Sequence, residues 1–511
     1  MFNATNILIL VTIIAYLAMV VWIGFSCSKQ NKDTDDFFLG GRKLGPFVTA
    51  MSAEASDMSS WLLLGLPGVA YLSGLADASW TAIGLAVGTY LNWLIVAKRI
   101  RRYSIKIDAI TIPEFFTKRY RDRRRILQTV AAVIIVLFFI PYTGSGFAAC
   151  GKLFTSLFGV NYHTAMIISA LIIAVYTTLG GFLAASTTDF IQSIVMTIAI
   201  IVVFGFGVSV AGGWGAVMDN AKALPGYLSL VSIHDPVSKT SSPYGALSSA
   251  SMLAWGLGYF GMPHILLRFM AARKESELKL SRRIASVWVV ISMAIAILIG
   301  VVGLGMTNVG AIEKLEGSNS ETILVKIAQL LATNGWLCAI VCGVILAGVL
   351  AATMSTADSQ LLAAASSVTE DILTSKFGIK VSEKAKMLIA RGSVIVISLL
   401  GIIIAWNPDS SVFKIVSFAW AGFGATFGPV VLLALFWKRS NLQGAVAGMI
   451  SGAIVIFAWK FGIAKLGGAF AIYELLPAFV VAIIVNVIVS LLTKAPDEEI
   501  VKEFEEVKND K

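Results

Sequence analysis

Apolar runs of about 20 residues recur along the whole chain, and this pattern constrains the fold more than any other feature. A helical run of that length spans the hydrocarbon core of a bilayer. Membrane β-barrels instead need alternating runs of about ten residues. Of the 511 residues, 57% are hydrophobic and 14% are charged, whereas soluble domains average about 25% charged residues. The sequence therefore predicts an all-α, polytopic membrane protein, and it excludes a soluble enzyme or a disulfide scaffold.

The apolar runs predict thirteen transmembrane helices. Residues 5–27 are too long for a signal-peptide core and have no basic start, so we expect them to form the first span. The expected spans are 5–27, 46–72, 76–97, 127–147, 163–182, 188–212, 244–264, 284–306, 336–358, 388–406, 411–437, 441–463 and 471–493. We expect residues 1–495 to form a single transmembrane domain and residues 496–511 to form a short, acidic, solvated cytoplasmic tail.

Basic residues are distributed unevenly between the loops. Of the 40 Lys and Arg residues, 32 lie in the C-terminal tail, in loops that follow odd-numbered spans or, for Arg391, in the first residues of the adjoining span. Cytoplasmic loops carry the excess of basic residues, so we expect the N-terminus outside and the C-terminus in the cytoplasm. The basic cluster at 118–125 is therefore interpreted as a topology anchor that contacts anionic lipid, and not as a nucleic-acid surface.

The second span carries two acidic residues, Glu54 and Asp57, within a serine-rich stretch. A carboxylate at membrane depth costs several kcal/mol or more and marks a candidate functional site. The stripe formed by Ser52, Ser56 and Ser60 also fits close helix packing. Packing explains the serines but gives no reason for the acids.

The seventh span contains three glycines and a proline within residues 255–263, so a continuous helix is not expected there. A packing kink is the alternative interpretation. Broken backbone at membrane depth is tolerated where it is buried in protein or lines a cavity. Trp255 and Tyr259 lie in this stretch and offer aromatic walls for a small ligand. The pattern predicts a ligand site at an interrupted helix.

The ninth span places hydroxyls and a carbonyl on one helical face. Ser355 and Thr356 are adjacent, Ala352 precedes them by one turn, and Asp358 adds a charge. Oxygen atoms of this kind are the ligands that a hard cation takes. Mid-helix hydroxyls often bond back to the carbonyl four residues earlier, which is the alternative explanation.

Two glycines, at 180 and 181, predict a tight turn between the fifth and sixth spans. Residues 186–188 can cap the helix that follows, directly before Asp189. A capping role and a transport role for Asp189 both remain open from the sequence.

The two unusual spans, the second and the seventh, stand five apart. Spans two to six (about 46–212) and seven to eleven (about 244–437) then form two units of five helices. An odd number of spans per unit gives the units opposite orientations in the membrane. Secondary transporters are built in this way and bind their solutes where the first helix of each unit breaks.

In these motifs the sequence resembles the sodium:solute symporter family over nearly the whole chain, to about residue 495. The likeness is carried by residues 37–46 (FFLGGRKLGP), residues 56–59 (SDMS) with Trp61, the glycine pair with Asp189, the spacing of Trp255, Tyr259 and Pro263, and residues 354–356 (MST). The resemblance implies a leucine-transporter type of fold, with a five-plus-five inverted repeat and extra helices at both ends, in the cell membrane.

The resemblance also implies roles for individual residues. The implied Na⁺ ligands are Ala55, Met58, Ala352, Ser355 and Thr356. Asp57 and Ser59 match positions for sodium coupling, and the implied substrate-site residues are Trp255, Tyr259, Pro263 and Tyr142. Arg42 matches a further charged position linked to transport, as does Asp189.

Two acidic residues, Glu54 and Asp358, depart from the family pattern. Asp189, Asp358 and Ser359 are therefore candidates for a second cation site or a proton relay, and the ion stoichiometry stays open.

The expected function is uptake of L-proline coupled to inward Na⁺ movement by alternating access, with Na⁺ as the coupling ion and no other cofactor. Pantothenate, a monocarboxylate, a sugar or sialic acid are the alternative solutes. An ion channel or a transporter-like sensor is the alternative of a different class. No nucleophile–base set or metal cluster indicates an enzyme.

Overall fold

The computed structural model describes residues 4–28, 34–378 and 382–509, and helices account for most of them. The helices of the first half are α1 (Ala4–Ser28), α2 (Thr34–Leu39), α3 (Pro46–Asp57), α4 (Leu66–Ser73), α5 (Leu75–Leu91), α6 (Ala97–Lys106), α7 (Ile112–Arg119), α8 (Ile126–Phe158), α9 (Tyr162–Val210) and α10 (Trp214–Lys222). A short antiparallel hairpin follows, formed by β1 (Ser232–Asp235) and β2 (Thr240–Pro243).

The second half continues with further helices of the same kind. They are α11 (Ala246–Leu253), α12 (Pro263–Ala271), α13 (Leu278–Asn308), α14 (Ile323–Ala332), α15 (Trp336–Ser366), α16 (Glu383–Ile404), α17 (Val412–Phe436), α18 (Leu442–Phe461), α19 (Leu475–Leu492) and α20 (Glu498–Asn509). Short 3₁₀ or π turns join several of them.

Ten helices in the described residues are long and apolar enough to cross a membrane. One of them, α9, changes direction at Gly181, which has a φ of 66°, a value that glycine adopts without steric cost. Helix α9 therefore forms two spans. Two interrupted segments, 46–73 and 246–271, bring the number to the thirteen predicted from the sequence. The predicted break at the glycine pair is confirmed, but the predicted helix cap at 186–188 is wrong because these residues already lie inside the helix.

The second span is broken where its serines cluster. Helix α3 ends at Asp57, and Met58 leaves the helical conformation with a ψ of 63°. A π-helical turn over Trp61–Gly65 follows, and α4 then continues the span.

The seventh span is broken at its glycines. After α11, a 3₁₀ segment runs over Ala254–Gly261, and Pro263 then opens α12 at a first-turn position that needs no amide donor. The glycines allow the backbone of this segment to approach its neighbours closely. A Cβ on Gly256 would lie 2.1 Å from the carbonyl oxygen of Gly84 on α5.

Both breaks lie in the interior of the helix bundle. Helix α3 packs against α9, α13 and α15, while the 3₁₀ segment of the seventh span packs against α5 and α17. The backbone N–H and C=O groups freed at the breaks are therefore shielded from lipid, which could not form hydrogen bonds with them. The limits of the single domain (1–495) and of the two repeats stay a prediction.

The C-terminal segment differs from the solvated tail that the sequence predicts. Helix α20 buries Ile500, Phe504 and Val507, which share one helical face. Its acidic face forms ion pairs with the basic loops, such as Glu506 with Lys106 at 3.0 Å. The tail is therefore a docked amphipathic helix, and its last residues, 510 and 511, lie outside the described residues.

The close packing at the seventh-span break predicts the effect of a single methyl group. A Cβ on Gly258 would lie 2.0 Å from Nε1 of Trp420, which is itself buried. Overpacking of this kind costs about 1–3 kcal/mol, so Gly258→Ala should lower the apparent melting temperature of the purified protein in detergent. Gly245→Ala is the control, because Gly245 has nothing within 4 Å of such a Cβ. An equal loss in both variants would contradict the packing argument.

Candidate functional site

The two interrupted spans meet through a carboxylate. The hydroxyl of Tyr259, on the 3₁₀ segment, donates to Oδ2 of Asp57 at the end of α3. The indole N–H of Trp61 donates to the carbonyl oxygen of Asp57 at 3.1 Å, and the rings of Trp61 and Trp255 lie 6.0 Å apart. The expected sodium-coupling residue thus contacts two aromatic residues, one from each broken span.

The expected Na⁺ ligands of α3 and α15 face each other. Oγ of Ser355 lies 2.8 Å from the carbonyl oxygen of Ala55 and 3.3 Å from that of Ala352. Oγ1 of Thr356 lies 3.2 Å from the same carbonyl of Ala352. Met58 directly follows the end of α3 at Asp57 and is the first residue of the break. The contacts to Ala352 are hydrogen bonds within α15, which the sequence offered as the alternative explanation for these hydroxyls. The contact to Ala55, by contrast, joins α15 to α3.

Trp255 lies inside a cluster of aromatic rings. Its ring centroid is 5.3 Å from that of Phe413, 5.1 Å from that of Tyr473 and 6.4 Å from that of Trp420. The indole N–H of Trp420 also donates to the carbonyl oxygen of Trp255 at 2.8 Å. Sequence reasoning missed these three partners, because no local spacing links residues that lie more than 150 positions away.

A cavity of about 730 Å³ lies beside the second half of the interrupted second span. Gly65, Pro141 and Phe413 are among its lining residues. Because the Phe413 ring also contacts Trp255, this cavity ends at the aromatic cluster. Tyr142, the remaining expected substrate residue, is buried on α8, one residue beyond Pro141.

The residues expected to form a second cation site or relay surround a guanidinium group. Nη2 of Arg268 lies 3.2 Å from Oδ2 of Asp189 and 2.5 Å from Oγ of Ser359. Asp358 accepts a hydrogen bond from the hydroxyl of Tyr176 at 2.5 Å. Sequence reasoning also missed Arg268, which counted there only as one of the loop residues.

Three further expected residues occupy different positions. Glu54 is buried and accepts a hydrogen bond from the Trp93 indole at 2.8 Å. Ser59 is buried in the break itself. Arg42 lies apart from this site and donates to the carbonyl oxygens of Met270, at the end of α12, and Ala109.

Several buried polar atoms around the breaks have no hydrogen-bond partner within the described part of the chain. They are Oε2 of Glu54, Oδ1 of Asp57, Oδ1 of Asn92 and Nε2 of Gln360. Unpaired buried polar atoms are rare in folded proteins and call for an explanation. Glu54 and Asp57 lie on α3, Gln360 lies on α15, which packs against α3, and the Asn92 amide bonds to the seventh-span break, so these atoms fit a site that takes a polar or charged ligand.

Two broken helices that meet inside an inverted-repeat bundle define a secondary transporter. Comparison with known proteins gives the family: the sodium:solute symporter family profile matches residues 37–452. The chain belongs to this family, whose coupling ion is Na⁺, and it is a multi-pass membrane protein.

The chain is similar to curated relatives along most of its length. Sodium/proline symporters of Staphylococcus aureus, for example that of strain USA300, are 41% identical over 494 residues, which cover 95% of this chain and 93% of the relative.

Solved structures show the same fold. A Na⁺-coupled sialic acid symporter matches with a TM-score of 0.77 at 20% identity, covering 96% of this chain and 99% of that one. The nucleobase-cation-symport-1 family transporter Mhp1 matches with a TM-score of 0.54 at 14% identity, over 92% and 98% of the two chains. At these identities the likeness concerns the fold alone.

Proposed function

We propose that this protein couples inward movement of Na⁺ to the uptake of L-proline by alternating access. The similarity to sodium/proline symporters supports proline as the solute. The observation that carries the mechanism is the hydrogen bond between Tyr259 and Asp57, because it joins the expected substrate helix to the expected sodium helix.

In this proposal Na⁺ binds between α3 and α15. The ligands are the carbonyl oxygens of Ala55, Met58 and Ala352 and the hydroxyl oxygens of Ser355 and Thr356. Ser355 supports this assignment, since its hydroxyl lies within 2.8 Å of a carbonyl on the facing helix. Asp57 and Ser59 stand at the same break and would respond to the bound ion.

Proline binds beside the seventh-span break, against Trp255, Tyr259 and Tyr142. The cavity that ends at Phe413 and Trp255 gives access from one face. The carboxylate of the solute would face the N-terminus of α12, which Pro263 opens, because a helix N-terminus attracts negative charge. The pyrrolidine ring would pack on the aromatic walls.

Alternating access follows if Na⁺ binds the outward-open form more tightly than the inward-open form. A ligand shifts a conformational equilibrium only by its differential affinity for the two states. Na⁺ that draws α3 and α15 together would assemble the proline site beside the seventh span. Coupling is reciprocal, so proline should tighten Na⁺ binding by the same factor.

The assignment of proline is tested by Na⁺-driven uptake into proteoliposomes. Proteoliposomes with an inward Na⁺ gradient should accumulate labelled proline, and not pantothenate, lactate, glucose or sialic acid. If another solute from this panel accumulates and proline does not, that solute replaces proline as the proposed substrate. Conductance without saturation would point to a channel.

The proposed orientation places the N-terminus outside and α20 in the cytoplasm, because the basic loops lie on the α20 side. We expect a cysteine at Val237, which is 90% exposed on the hairpin, to react with an impermeant maleimide added to intact cells. A cysteine at the exposed Lys502 should react only after permeabilisation. The four native cysteines are replaced first. The reverse labelling pattern would invert the proposed topology.

The proposed sodium ligands predict a change in Na⁺ dependence. Ser355→Ala removes one oxygen, and a loss of about 1.4 kcal/mol corresponds to a tenfold rise in the half-saturating Na⁺ concentration for proline uptake. Thr356→Ala should act in the same direction. Ser451→Ala is the control, since its hydroxyl bonds within α18 and outside both repeats. Unchanged Na⁺ dependence in both site variants would remove these residues from the ion site.

The aromatic cluster predicts a change in proline affinity. Trp255→Phe removes part of the apolar surface against which the pyrrolidine ring would pack, at about 25 cal/mol per Å², and a loss of about 0.5–1.5 kcal/mol should raise the half-saturating proline concentration about two- to tenfold. The half-saturating Na⁺ concentration at saturating proline should change less. Trp336→Phe is the control because Trp336 is exposed. An effect of Trp255→Phe on Na⁺ dependence alone would argue against its place in the substrate site.

A further inference from the structure

Arg268 is a buried arginine whose side chain contacts three helices besides its own. It lies on α12, five residues after the proline that opens this helix, and it is 1% exposed. Its guanidinium group bonds to residues of α3, α9 and α15. We propose that Arg268 is a positioning residue that couples sodium binding to substrate binding, an inference that rests on the proposed function.

The first contact reaches the α3 side of the candidate sodium site. Nε of Arg268 donates to Oγ of Ser52 at 3.0 Å. Ser52 lies one turn before Ala55, whose carbonyl oxygen is a proposed ligand. The Ser52 hydroxyl in turn donates to Oδ2 of Asp189 at 2.6 Å. Arg268 and Asp189 together therefore determine the orientation of the Ser52 hydroxyl.

The second contact reaches the α15 side of the same site. Nη2 of Arg268 donates to Oγ of Ser359 at 2.5 Å. That oxygen lies 2.8 Å from the carbonyl oxygen of Ser355, to which the Ser359 hydroxyl can donate. Ser355 contacts Ala55 across the site. One guanidinium group therefore bonds to both helices between which Na⁺ is proposed to bind.

The third contact leads back to the substrate helix. Nη1 of Arg268 donates to the carbonyl oxygen of His264 at 3.0 Å, in the first turn of α12. His264 follows Pro263 directly, at the end of the break. The guanidinium thus ties this first turn, at the substrate site, to α3 and α15.

The geometry requires arginine and not merely a positive charge. Asp189 supplies the opposite charge at 3.2 Å, and a lysine could satisfy that ion pair. The three partners Ser52, Ser359 and His264, however, are each bonded by a different nitrogen of one planar group. A lysine ammonium is a point charge on a flexible stem and does not reproduce this fork.

These contacts explain how binding at the proposed sodium site changes the affinity of the proposed substrate site. Coupling requires interactions that differ between the two states of the protein. When Na⁺ draws α3 and α15 together, Ser52 and Ser359 take the spacing that one guanidinium can bridge. Helix α12 is then held in the position that binds substrate. Without the bridge, each site keeps its own ligands but no longer responds to the other.

Direct binding of labelled proline, with and without Na⁺, tests this inference on the purified full-length protein. Coupled sites typically change each other's affinity about 5- to 150-fold. In Arg268→Lys we expect the ratio of the two proline dissociation constants to fall to about one, while Na⁺ affinity without proline stays near that of the wild type. Ser359→Ala should reduce the ratio in part. Arg99→Lys, on the cytoplasmic side at Leu435 and Phe436, is the matched control.

The outcomes separate this inference from the function on which it rests. If the proline dissociation constant of the wild-type protein is the same with and without Na⁺, the proposed function is overturned. A normal coupling ratio in Arg268→Lys, with a coupled wild type, would overturn only the role of Arg268. If Arg268→Lys does not fold, the ratio in Ser52→Ala decides, because Ser52 accepts from Nε of Arg268 and is not a proposed ion ligand: an unchanged ratio rejects the bridge, and a reduced ratio supports it.

Discussion

Backbone groups and charges inside a membrane must find their partners within the protein, because hydrocarbon supplies none. This constraint accounts for the arrangement of the whole interior. The opened backbone at Met58 and at the 3₁₀ segment lies among other helices, with Gly256 and Gly258 in close contact with α5 and Trp420. The buried carboxylates of Asp57, Asp189 and Asp358 each have a hydroxyl or guanidinium donor.

The same constraint links structure to transport. Buried carboxylates and hydroxyls gather where helices α3, the seventh-span segment and α15 meet, and this is where Na⁺ and the solute are proposed to bind. Because the hydrogen bonds between these helices cross from one repeat to the other, movement of one repeat changes partners in the other. Tyr259 with Asp57, and Arg268 with Ser52 and Ser359, are two such links. Binding energy at one site can therefore alter the geometry of the second.

Particular residues show how far sequence reasoning reached. The break within residues 255–263 was predicted because glycine and proline act on the backbone locally, whereas the break in the second span was expected from the repeat pattern and the family resemblance. The family resemblance assigned Ser355 and Ala55 to one sodium site, and the structure brings the Ser355 hydroxyl within 2.8 Å of the Ala55 carbonyl oxygen, while their role as ligands stays a prediction. Arg268, Phe413 and Tyr473 were missed, since each joins the site across long chain separations. The prediction of a solvated tail was also wrong, because the short apolar face of α20 is buried only once the helix packs beside α6.

The sequence by itself determined that this chain is a helical membrane protein, where its spans lie and that the seventh span breaks. These properties depend on hydropathy and on backbone preferences, which act over one helix or less. Only the tertiary structure decided that a guanidinium lies among Asp189 and Ser359, that Trp255 is enclosed by three further rings, and that α20 docks on the basic loops. Contacts of this kind depend on how distant helices approach each other, and packing within the whole bundle sets those distances.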